Sequence, residues 1–309
     1  MKGPETILSE LKKAVVGKDE ALKTALLAII AGGHILLEDI PGVGKTTMAL
    51  AFSRALGLDY KRVQFTPDVL PSDIVGFSVL DKETNAMVYR PGAILCNLFL
   101  ADELNRATSR TQSALLEAME EGSVTVDGET HKVPNPFIVI ATQNPVGSSG
   151  TQLLPESQLD RFIVKLSLGY PDHENEIELL TRKQKGNPLD TVRCVLDSAR
   201  LAEIRAEVER TYTDPRILDY AIRLSNTSRR HGSLVHGASP RASLAVIAMA
   251  KAAAWMCGRD YVVPDDVESI YPATVTHRLV LTPEARSSGI TANAVLREIM
   301  ANTAPPPIR

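Results

Sequence analysis

The feature that most constrains this chain is an apolar run that leads directly into a glycine-rich loop. Residues 35–47 read Ile-Leu-Leu-Glu-Asp-Ile-Pro-Gly-Val-Gly-Lys-Thr-Thr. Phosphate-binding loops follow the pattern Gly-x-x-x-x-Gly-Lys-[Ser/Thr], which is met here at Gly44, Lys45 and Thr46. Asp39 replaces the first glycine of that pattern. Because such a loop lies between a buried strand and a helix, the stretch predicts an α/β unit that binds a nucleoside triphosphate.

Each residue type in this loop has a chemical task. Gly42 and Gly44 allow backbone amides to curl around phosphates, and the Lys45 ammonium adds positive charge at the β and γ groups. The Thr46 hydroxyl is a ligand for Mg²⁺. A chance Gly-Lys-Thr in a surface turn is the alternative, which the strand before the loop and the helix after it disfavour. The residues predicted to contact the nucleotide are Pro41, Gly42, Val43, Gly44, Lys45, Thr46 and Thr47.

Composition limits the class of protein. The chain has 309 residues, with 34 basic and 37 acidic side chains, and its net charge of −3 argues against a protein that coats nucleic acid. Cys96, Cys194 and Cys257 form no Cys-x-x-Cys pair, so we expect buried free thiols and neither disulfides nor a metal site. No apolar run approaches the roughly 20 residues that span a bilayer, and the amino terminus lacks a signal-peptide core. We therefore expect a soluble, cytoplasmic protein without a membrane span.

From Lys12 to about Tyr170, short apolar runs alternate with helical patterns, which predicts a parallel sheet with helices on both faces. Continuous apolar runs suit strands that are buried on both sides. After Pro171 the pattern is typical of helices only. The predicted strands are Ile35–Leu37, Arg62–Phe65, Ile94–Ala101, Phe137–Ala141 and Phe162–Leu166, and the predicted later helices are Glu174–Gln184, Ser198–Arg210, Pro215–Thr227, Pro240–Met256 and Asp265–Val275.

These changes of pattern also predict the domain organisation. We expect an α/β nucleotide-binding domain over residues 1–172, a linker over 173–192 and a helical lid domain over 193–309. Residues 66–92 form an insertion rich in Pro, Gly and Asp that is too long for a simple turn. Residues 123–133 alternate in polarity around Asp127-Gly128, which predicts a β-hairpin.

Two adjacent carboxylates end the apolar run Leu98-Phe-Leu-Ala-Asp-Glu103. At the carboxyl end of a strand, side chains emerge beside the ligand crevice of a doubly wound sheet. Asp102 can hold Mg²⁺ there, and Glu103 can orient and deprotonate the attacking water. An acidic cap on the following helix is the alternative. The position of the pair after the phosphate loop favours the catalytic interpretation.

Asn144 and Arg161 are further candidates, and each has a purely structural alternative. Asn144 follows an apolar strand, where its amide could contact the γ-phosphate and the attacking water, or could merely belong to an Asn-Pro turn. Arg161 could stabilise charge on the transferring phosphoryl group from its own subunit or from a neighbour. Its alternative is a surface pair with Asp160, which would contribute little.

Arg241 lies at a predicted helix start, after Ser239 as N-cap and Pro240 in the first turn. An arginine at the positive end of its own helix is locally unfavourable unless an anion lies nearby, which hints at a phosphate contact. Asp214-Pro-Arg216 has the same layout. The local pattern therefore does not choose between Arg216 and Arg241.

In combination, these residues resemble a MoxR-type AAA+ ATPase from about Val15 to Arg278. The segments that carry the resemblance are Val16–Glu20, Gly33–Glu38, Ala101–Ala107, Thr111–Glu120, Ala141–Pro145, Leu154–Phe162, Ser239–Leu244 and Gly258–Val267. The later segments are weak signals individually, but their order along the chain is specific. One departure is Val263, which stands where the family often has a helix-capping threonine and is expected to cost on the order of 1 kcal/mol.

The resemblance implies a P-loop NTPase of the AAA+ type, with a five-stranded core, a helical lid and assembly into a ring that is usually hexameric. It makes Asp102 and Glu103 the Walker B pair and Asn144 sensor 1. It makes Arg161 the finger that reaches a neighbour's ATP, and it selects Arg241 as sensor 2. Val16 and Gly17 match a segment near the adenine. The 66–92 insertion and the 123–133 hairpin match elements that couple hydrolysis to a target.

The resulting functional expectation is a Mg²⁺-dependent ATPase that acts as a chaperone, remodelling or activating a partner protein that often carries a von Willebrand factor A domain. Alternatives are the motor subunit of a magnesium-chelatase-like complex and a nucleotide-gated scaffold with little turnover. A DNA-handling ATPase is disfavoured because no DNA-binding module or excess positive charge follows the lid. We also expect Asp39 to repel phosphates and lower nucleotide affinity, unless its side chain points away.

Overall fold

A computed structural model describes residues 3–144 and 154–307. The described residues form two compact units. The core unit comprises those within 1–23, 34–154 and 166–202, and the lid unit comprises those within 24–33, 155–165 and 203–309.

The helices and strands up to residue 144 are α1 (Pro4–Ala14), α2 (Asp19–Ile30), β1 (Ile35–Glu38), α3 (Lys45–Ala55), β2 (Tyr60–Gln64), α4 (Pro71–Val75), β3 (Gly76–Leu80), β4 (Met87–Pro91), β5 (Leu98–Asp102), α5 (Ser109–Glu121), β6 (Ser123–Val126), β7 (Glu129–Lys132) and β8 (Ile138–Gln143). From residue 154 onwards they are α6 (Glu156–Leu159), β9 (Val164–Leu166), α7 (His173–Gln184), α8 (Ser198–Glu209), α9 (Pro215–Arg229), β10 (Leu234–His236), α10 (Pro240–Met256), α11 (Pro264–Val275), β11 (Val280–Leu281), α12 (Pro283–Ser287) and α13 (Ala292–Ala301).

Within the described ranges, five strands form one sheet in the order β2–β5–β8–β1–β9. The β2–β5, β5–β8 and β8–β1 ladders are parallel. Every residue of β5 and β8 is buried, as continuous apolar runs predict for central strands covered on both faces. The predicted α/β core is therefore confirmed.

One predicted strand begins too early. The apolar run starts at Ile94, whereas β5 begins at Leu98. The backbone amides of Ala93 and Ile94 donate instead to the carbonyls of Asp73 and Ile74, each at 3.0 Å. Ala93 and Ile94 therefore pair with the 66–92 insertion, and their backbone amides are not available to the central ladder.

Helices α1 and α2 are absent from the predicted elements. The signals for α1 are nevertheless present, because Pro4 lies in its first turn and Lys12 and Lys13 lie in its last. Its buried residues Ile7 and Leu11 are four positions apart and therefore share one face.

The 66–92 insertion contains α4 and the antiparallel pair β3–β4. Strands β6 and β7 pair antiparallel and turn at Asp127 (φ 50°) and Gly128 (φ 84°), where the polarity pattern predicts a hairpin. The Tyr89 and His131 rings stack with centroids 3.7 Å apart and an interplanar angle of 7°. The insertion and the hairpin therefore contact each other directly.

The lid unit is mainly helical, as predicted, but β10 and β11 pair in a short antiparallel ladder. The prediction of helices only is wrong at that point. Ser239 caps α10, accepting a hydrogen bond from the Ala242 amide at 3.0 Å, which confirms the predicted helix start. At Val263 one half of the cap is present, because the Val263 amide donates to the Asp266 carboxylate at 2.8 Å, but the valine side chain accepts no hydrogen bond from the helix.

The three cysteines are free thiols, as expected. Cys96 is buried, but Cys194 and Cys257 are exposed, so the expectation of burial is wrong for these two. None of the helices in the described part of the chain combines the length and the apolarity that a bilayer crossing requires.

Candidate nucleotide site

The register of the sheet brings three polar residues to one edge of the core. Glu38 pairs with Gln143 at the ends of β1 and β8. The next residues along the chain after β1, β5 and β8 are Asp39, Glu103 and Asn144. In parallel neighbouring strands the carboxyl ends lie at the same edge, so these three residues lie together where the loop that connects β1 to α3 begins.

The loop itself has the backbone that a phosphate site requires. Gly42 and Gly44 have φ values of 87° and 97°, a backbone conformation that residues with a side chain rarely adopt. A Cβ at either position would meet nothing within 4 Å, so the space beside the loop is open. Helix α3 begins at Lys45, directly after Gly44. Its amino-terminal amides therefore point into that open space.

Lys45 is the centre of the hydrogen-bonding network. Its ammonium is buried and donates to the Asp39 carbonyl at 2.6 Å and to Asn144 Oδ1 at 3.1 Å. Burial lowers the pKa of Lys45 from its usual value, while the charges of Asp39, Asp102 and Glu103 oppose that shift. Both acceptors are neutral oxygens, so an incoming phosphate can take the place of either one.

Glu103 is held in a strained conformation. Its backbone is left-handed, with φ 57° and ψ 45°, which is uncommon for a residue other than glycine. Its Oε1 accepts from Asn144 Nδ2 at 3.1 Å, and its Oε2 accepts from Arg106 Nη1 at 2.8 Å. The Glu103 amide donates to Thr142 Oγ1 at 2.9 Å. Strain of this kind is maintained only where surrounding contacts fix the residue, and it is frequent at active sites.

Asp102 is fixed from two sides. The Thr142 hydroxyl donates to Oδ1 at 2.6 Å, and Arg62 Nη2 donates to Oδ2 at 2.7 Å. In the described ranges, no group of three or more His, Cys, Asp or Glu residues could hold a metal ion. Mg²⁺ at nucleotide sites usually takes only one or two protein oxygens, together with water and phosphate. The oriented Asp102 carboxylate and the hydroxyl of Thr46, on the first turn of α3, fit that requirement.

Asn144 is buried, and its amide bridges two of the predicted site residues. Its oxygen accepts from Lys45 and its nitrogen donates to Glu103. An ordinary turn residue does not need such contacts, so the geometry favours the site interpretation over the turn. Pro145, the next residue of the motif, lies outside the described residues.

The Val16-Gly17 segment lies against the start of α7. Gly17 has φ 67°, and a Cβ there would lie 2.4 Å from Asn175 Cγ. Both observations favour glycine at this position. Lys18 Nζ donates to the Tyr170 carbonyl at 2.8 Å. The segment predicted to lie near the adenine is therefore fixed to residues 170–175.

The Asp39 carboxylate is directed towards the chain after β9. It accepts hydrogen bonds from the Leu168 amide, from the Gly169 amide at 3.2 Å and from Ser167 Oγ at 3.1 Å. The side chain is satisfied by these donors, and only its main-chain carbonyl contacts Lys45. The Asp39 side chain therefore points away from the Lys45 ammonium, which is the exception allowed for in the expectation that it repels phosphates.

Arg161 and Arg241 belong to the lid unit. Arg161 follows Asp160, which forms an ion pair with the buried Arg278 at 2.7 Å. Arg241 lies in the first turn of α10. Arg216, its competitor in the sequence, forms a two-point ion pair with Asp214, with both contacts at 3.0 Å. The roles of Arg161 and Arg241 remain predictions.

Sequence reasoning missed several residues that shape the core site: Arg62, Arg106, Thr142, Lys18 and Asn175. Arg62 and Thr142 reach Asp102 only because β2 and β8 flank β5, which is a consequence of non-local pairing. Arg106 had a local signal, since it lies three residues after Glu103 and such neighbours meet on a helical turn.

Comparison with known proteins agrees with this geometry. The sequence profile of the ATPase family associated with various cellular activities (AAA) matches residues 34–164, and that of the AAA lid domain matches residues 226–299. YeaC from Bacillus subtilis is 47% identical over 294 residues, which is 95% of this chain and 92% of YeaC. Chaperone MoxR1 from Mycobacterium tuberculosis is 37% identical over 313 residues, 98% of this chain and 82% of that protein.

Solved structures include a similar protein. The crystal structure of a candidate ATPase from Cytophaga hutchinsonii has a TM-score of 0.91 and 35% identity, and the match covers 98% of this chain and 94% of that one. The parallel sheet, the phosphate loop and the lid together define the class as AAA+ ATPases. Within that class, the chain belongs to the MoxR family.

Proposed function

We propose that this chain hydrolyses ATP with Mg²⁺ and uses the energy to remodel or activate a partner protein. The loop residues 41–47 bind the phosphates, and Val16 and Gly17 lie at the adenine. Asp102 and Thr46 hold the metal, Glu103 is the general base and Asn144 orients the attacking water. Arg161 and Arg241 stabilise the charge that develops on the γ-phosphate.

The observation that carries this proposal is the continuous contact from Lys45 through Asn144 to Glu103. Lys45 donates to Asn144 Oδ1 at 3.1 Å, and Asn144 Nδ2 donates to Glu103 Oε1 at 3.1 Å. The amide is therefore already within hydrogen-bonding distance both of the group that binds phosphate and of the base. A general base must have this proximity to a nucleophile beside the γ-phosphate.

Bound Mg²⁺ would neutralise charge on the β and γ phosphates. The protein residues perform the remaining tasks. Glu103 accepts a proton from the attacking water once one of its oxygens leaves Arg106 or Asn144. The oriented Asp102 carboxylate, held by Thr142 and Arg62, supplies an oxygen of fixed direction for the metal.

A ring of identical subunits is part of the proposal, because the finger role assigned to Arg161 requires a neighbour's nucleotide. A relative named Chaperone MoxR1 covers 98% of this chain, which supports chaperone-like action. We include a partner with a von Willebrand factor A domain on the basis of the family resemblance alone.

The first experiment compares steady-state ATP hydrolysis by the parent protein and Glu103→Gln. Removal of a general base lowers the rate by about 10²–10⁴-fold. Nucleotide binding should persist. Glu121→Gln is the matched control. Glu121 lies exposed at the end of α5, so this substitution makes the same chemical change outside the site. Equal rates for the parent and Glu103→Gln would overturn the enzyme proposal in favour of a nucleotide-gated scaffold.

The trans role of Arg161 has its own test. Arg161→Ala and Glu103→Gln should each be nearly inactive alone. In mixed assemblies, a site with an intact Glu103 can receive Arg161 from a Glu103→Gln neighbour, so activity should reappear on mixing. If mixing restores nothing after subunit exchange has been demonstrated, Arg161 does not act between subunits.

A further inference from the structure

We propose that Asp39 is a positioning residue that couples the phosphate loop to the segment holding the base. In this role it replaces the usual glycine without repelling phosphate. The inference rests on the proposed nucleotide site, because it assigns the phosphate end to Lys45 and the base end to residues 16–18.

The first contact of Asp39 is made by its main chain. Its carbonyl accepts from Lys45 Nζ at 2.6 Å, the shorter of the two Lys45 hydrogen bonds. A phosphate that binds the Lys45 ammonium can take the place of this bond. When a phosphate takes the place of this bond, the Asp39 carbonyl loses its contact with Lys45, and the Asp39 backbone is free to shift.

The second contact is made by its side chain, which is directed towards residues 167–169. Asp39 is only 7% exposed, and its carboxylate accepts from two consecutive backbone amides and one hydroxyl. Hydrogen bonds to an ionised acceptor are stronger than those between neutral groups. A shift of Asp39 is thereby transmitted to the Ser167–Gly169 backbone.

Residues 167–169 lead directly to the base segment. Gly169 turns the chain with φ 59°, and the next carbonyl, that of Tyr170, accepts from Lys18 Nζ at 2.8 Å. Five residues later, Asn175 lies so close to Gly17 that no Cβ fits between them. Every step from Lys45 to residues 16–18 is therefore a direct contact within the core unit.

Repulsion and coupling predict opposite effects for Asp39→Asn, which removes the charge at nearly constant volume. If the carboxylate repels phosphate, the variant should bind every polyphosphate more tightly. If Asp39 couples the loop to the base segment, the variant should lose affinity only for ligands that carry a base. Inorganic tripolyphosphate and ATP separate these outcomes, because they share the phosphates and differ in the nucleoside.

The experiment measures the dissociation constants of Mg²⁺-ATP and of Mg²⁺-tripolyphosphate by titration calorimetry on the full chain. Loss of one charge-assisted hydrogen bond should weaken ATP binding by about tenfold. Tripolyphosphate binding should stay within about twofold of the parent. Lys18→Met removes the far contact of the route, to Tyr170, and should give the same ATP-specific loss.

The control is Asp81→Asn. Asp81 also accepts two backbone amides, those of Glu83 at 2.8 Å and Thr84 at 3.1 Å, but it lies in the insertion and should leave both affinities unchanged. Tighter binding of both ligands by Asp39→Asn would establish repulsion and overturn the coupling. Equal weakening of both ligands, or no change, would also overturn it. Failure of the parent protein to bind either ligand would instead refute the proposed nucleotide site.

Discussion

Replacing Gly17 with alanine should destabilise the core unit by about 2–3 kcal/mol. The left-handed backbone at this position, with φ 67°, costs a residue with a Cβ about 1–2 kcal/mol. The new Cβ would lie 2.4 Å from Asn175 Cγ, so the Asn175 side chain must move. That movement breaks its 2.8 Å hydrogen bond to Asp172, which is worth about 0.5–1.5 kcal/mol.

Chemical denaturation of three variants separates the two contributions. Gly122→Ala is the control for backbone strain alone, because its φ is 61° and a Cβ there meets nothing within 4 Å. The excess cost of Gly17→Ala over Gly122→Ala should disappear when Asn175 is also replaced with alanine. An equal cost for the two glycine variants, or an excess that persists without the Asn175 side chain, would refute the packing explanation.

Three further predictions concern stability and turnover. Burial lowers the pKa of His277 to about 3, so its contribution to stability is complete above the unfolded pKa of about 6.5 and is lost as the pH falls. Urea unfolding should show a loss of about 2 kcal/mol between pH 7.5 and pH 5 that His277→Gln lacks. Asp266→Asn should cost about 1.5–3 kcal/mol in the same assay, because the charge-assisted hydrogen bond from the partly exposed Arg259 to the buried Asp266, at 2.6 Å, would be weakened. Thr142→Val should reduce ATP turnover by about 10–100-fold and raise the Mg²⁺ requirement, since the hydroxyl that orients Asp102 is lost. A Thr142→Val rate equal to the parent's would show that this hydroxyl is dispensable.

The parts of the site that follow buried strands could be predicted from the sequence. Each of the stretches before Asp39, Glu103 and Asn144 is an apolar run followed by a polar residue, and parallel strands end at a common edge. That rule is sufficient to predict that these residues lie at one edge of the sheet, even when the order of the strands is unknown. The residues that the sequence could not assign, such as Arg62, reach the site across the sheet. Their placement depends on strand order, which is a property of the whole chain.

Asp39 illustrates a different limit. Its position in the motif suggests a carboxylate beside the phosphates, and the sequence contains no local hint of another partner. The hydrogen-bond donors that orient the Asp39 carboxylate lie at residues 167–169, more than a hundred positions away in the sequence. Backbone amides have no residue-type signature, so a side chain that binds them cannot be recognised from sequence. The orientation of a charged side chain is therefore less predictable than its position in the fold.

The same network determines how substitutions in the site should be interpreted. Lys45, Asn144 and Glu103 are joined by successive hydrogen bonds, and Glu103 is joined to Arg106 at 2.8 Å. Removing the Asn144 side chain breaks its hydrogen bonds to Glu103 and to Lys45 together. The substitution therefore alters both the general base and the lysine that binds phosphate. Residues that share one network do not contribute independently, and their single-variant effects do not add. A loss of turnover in any one variant therefore reports on the connected group, and only double-variant cycles can separate orientation of Glu103 from release of Lys45.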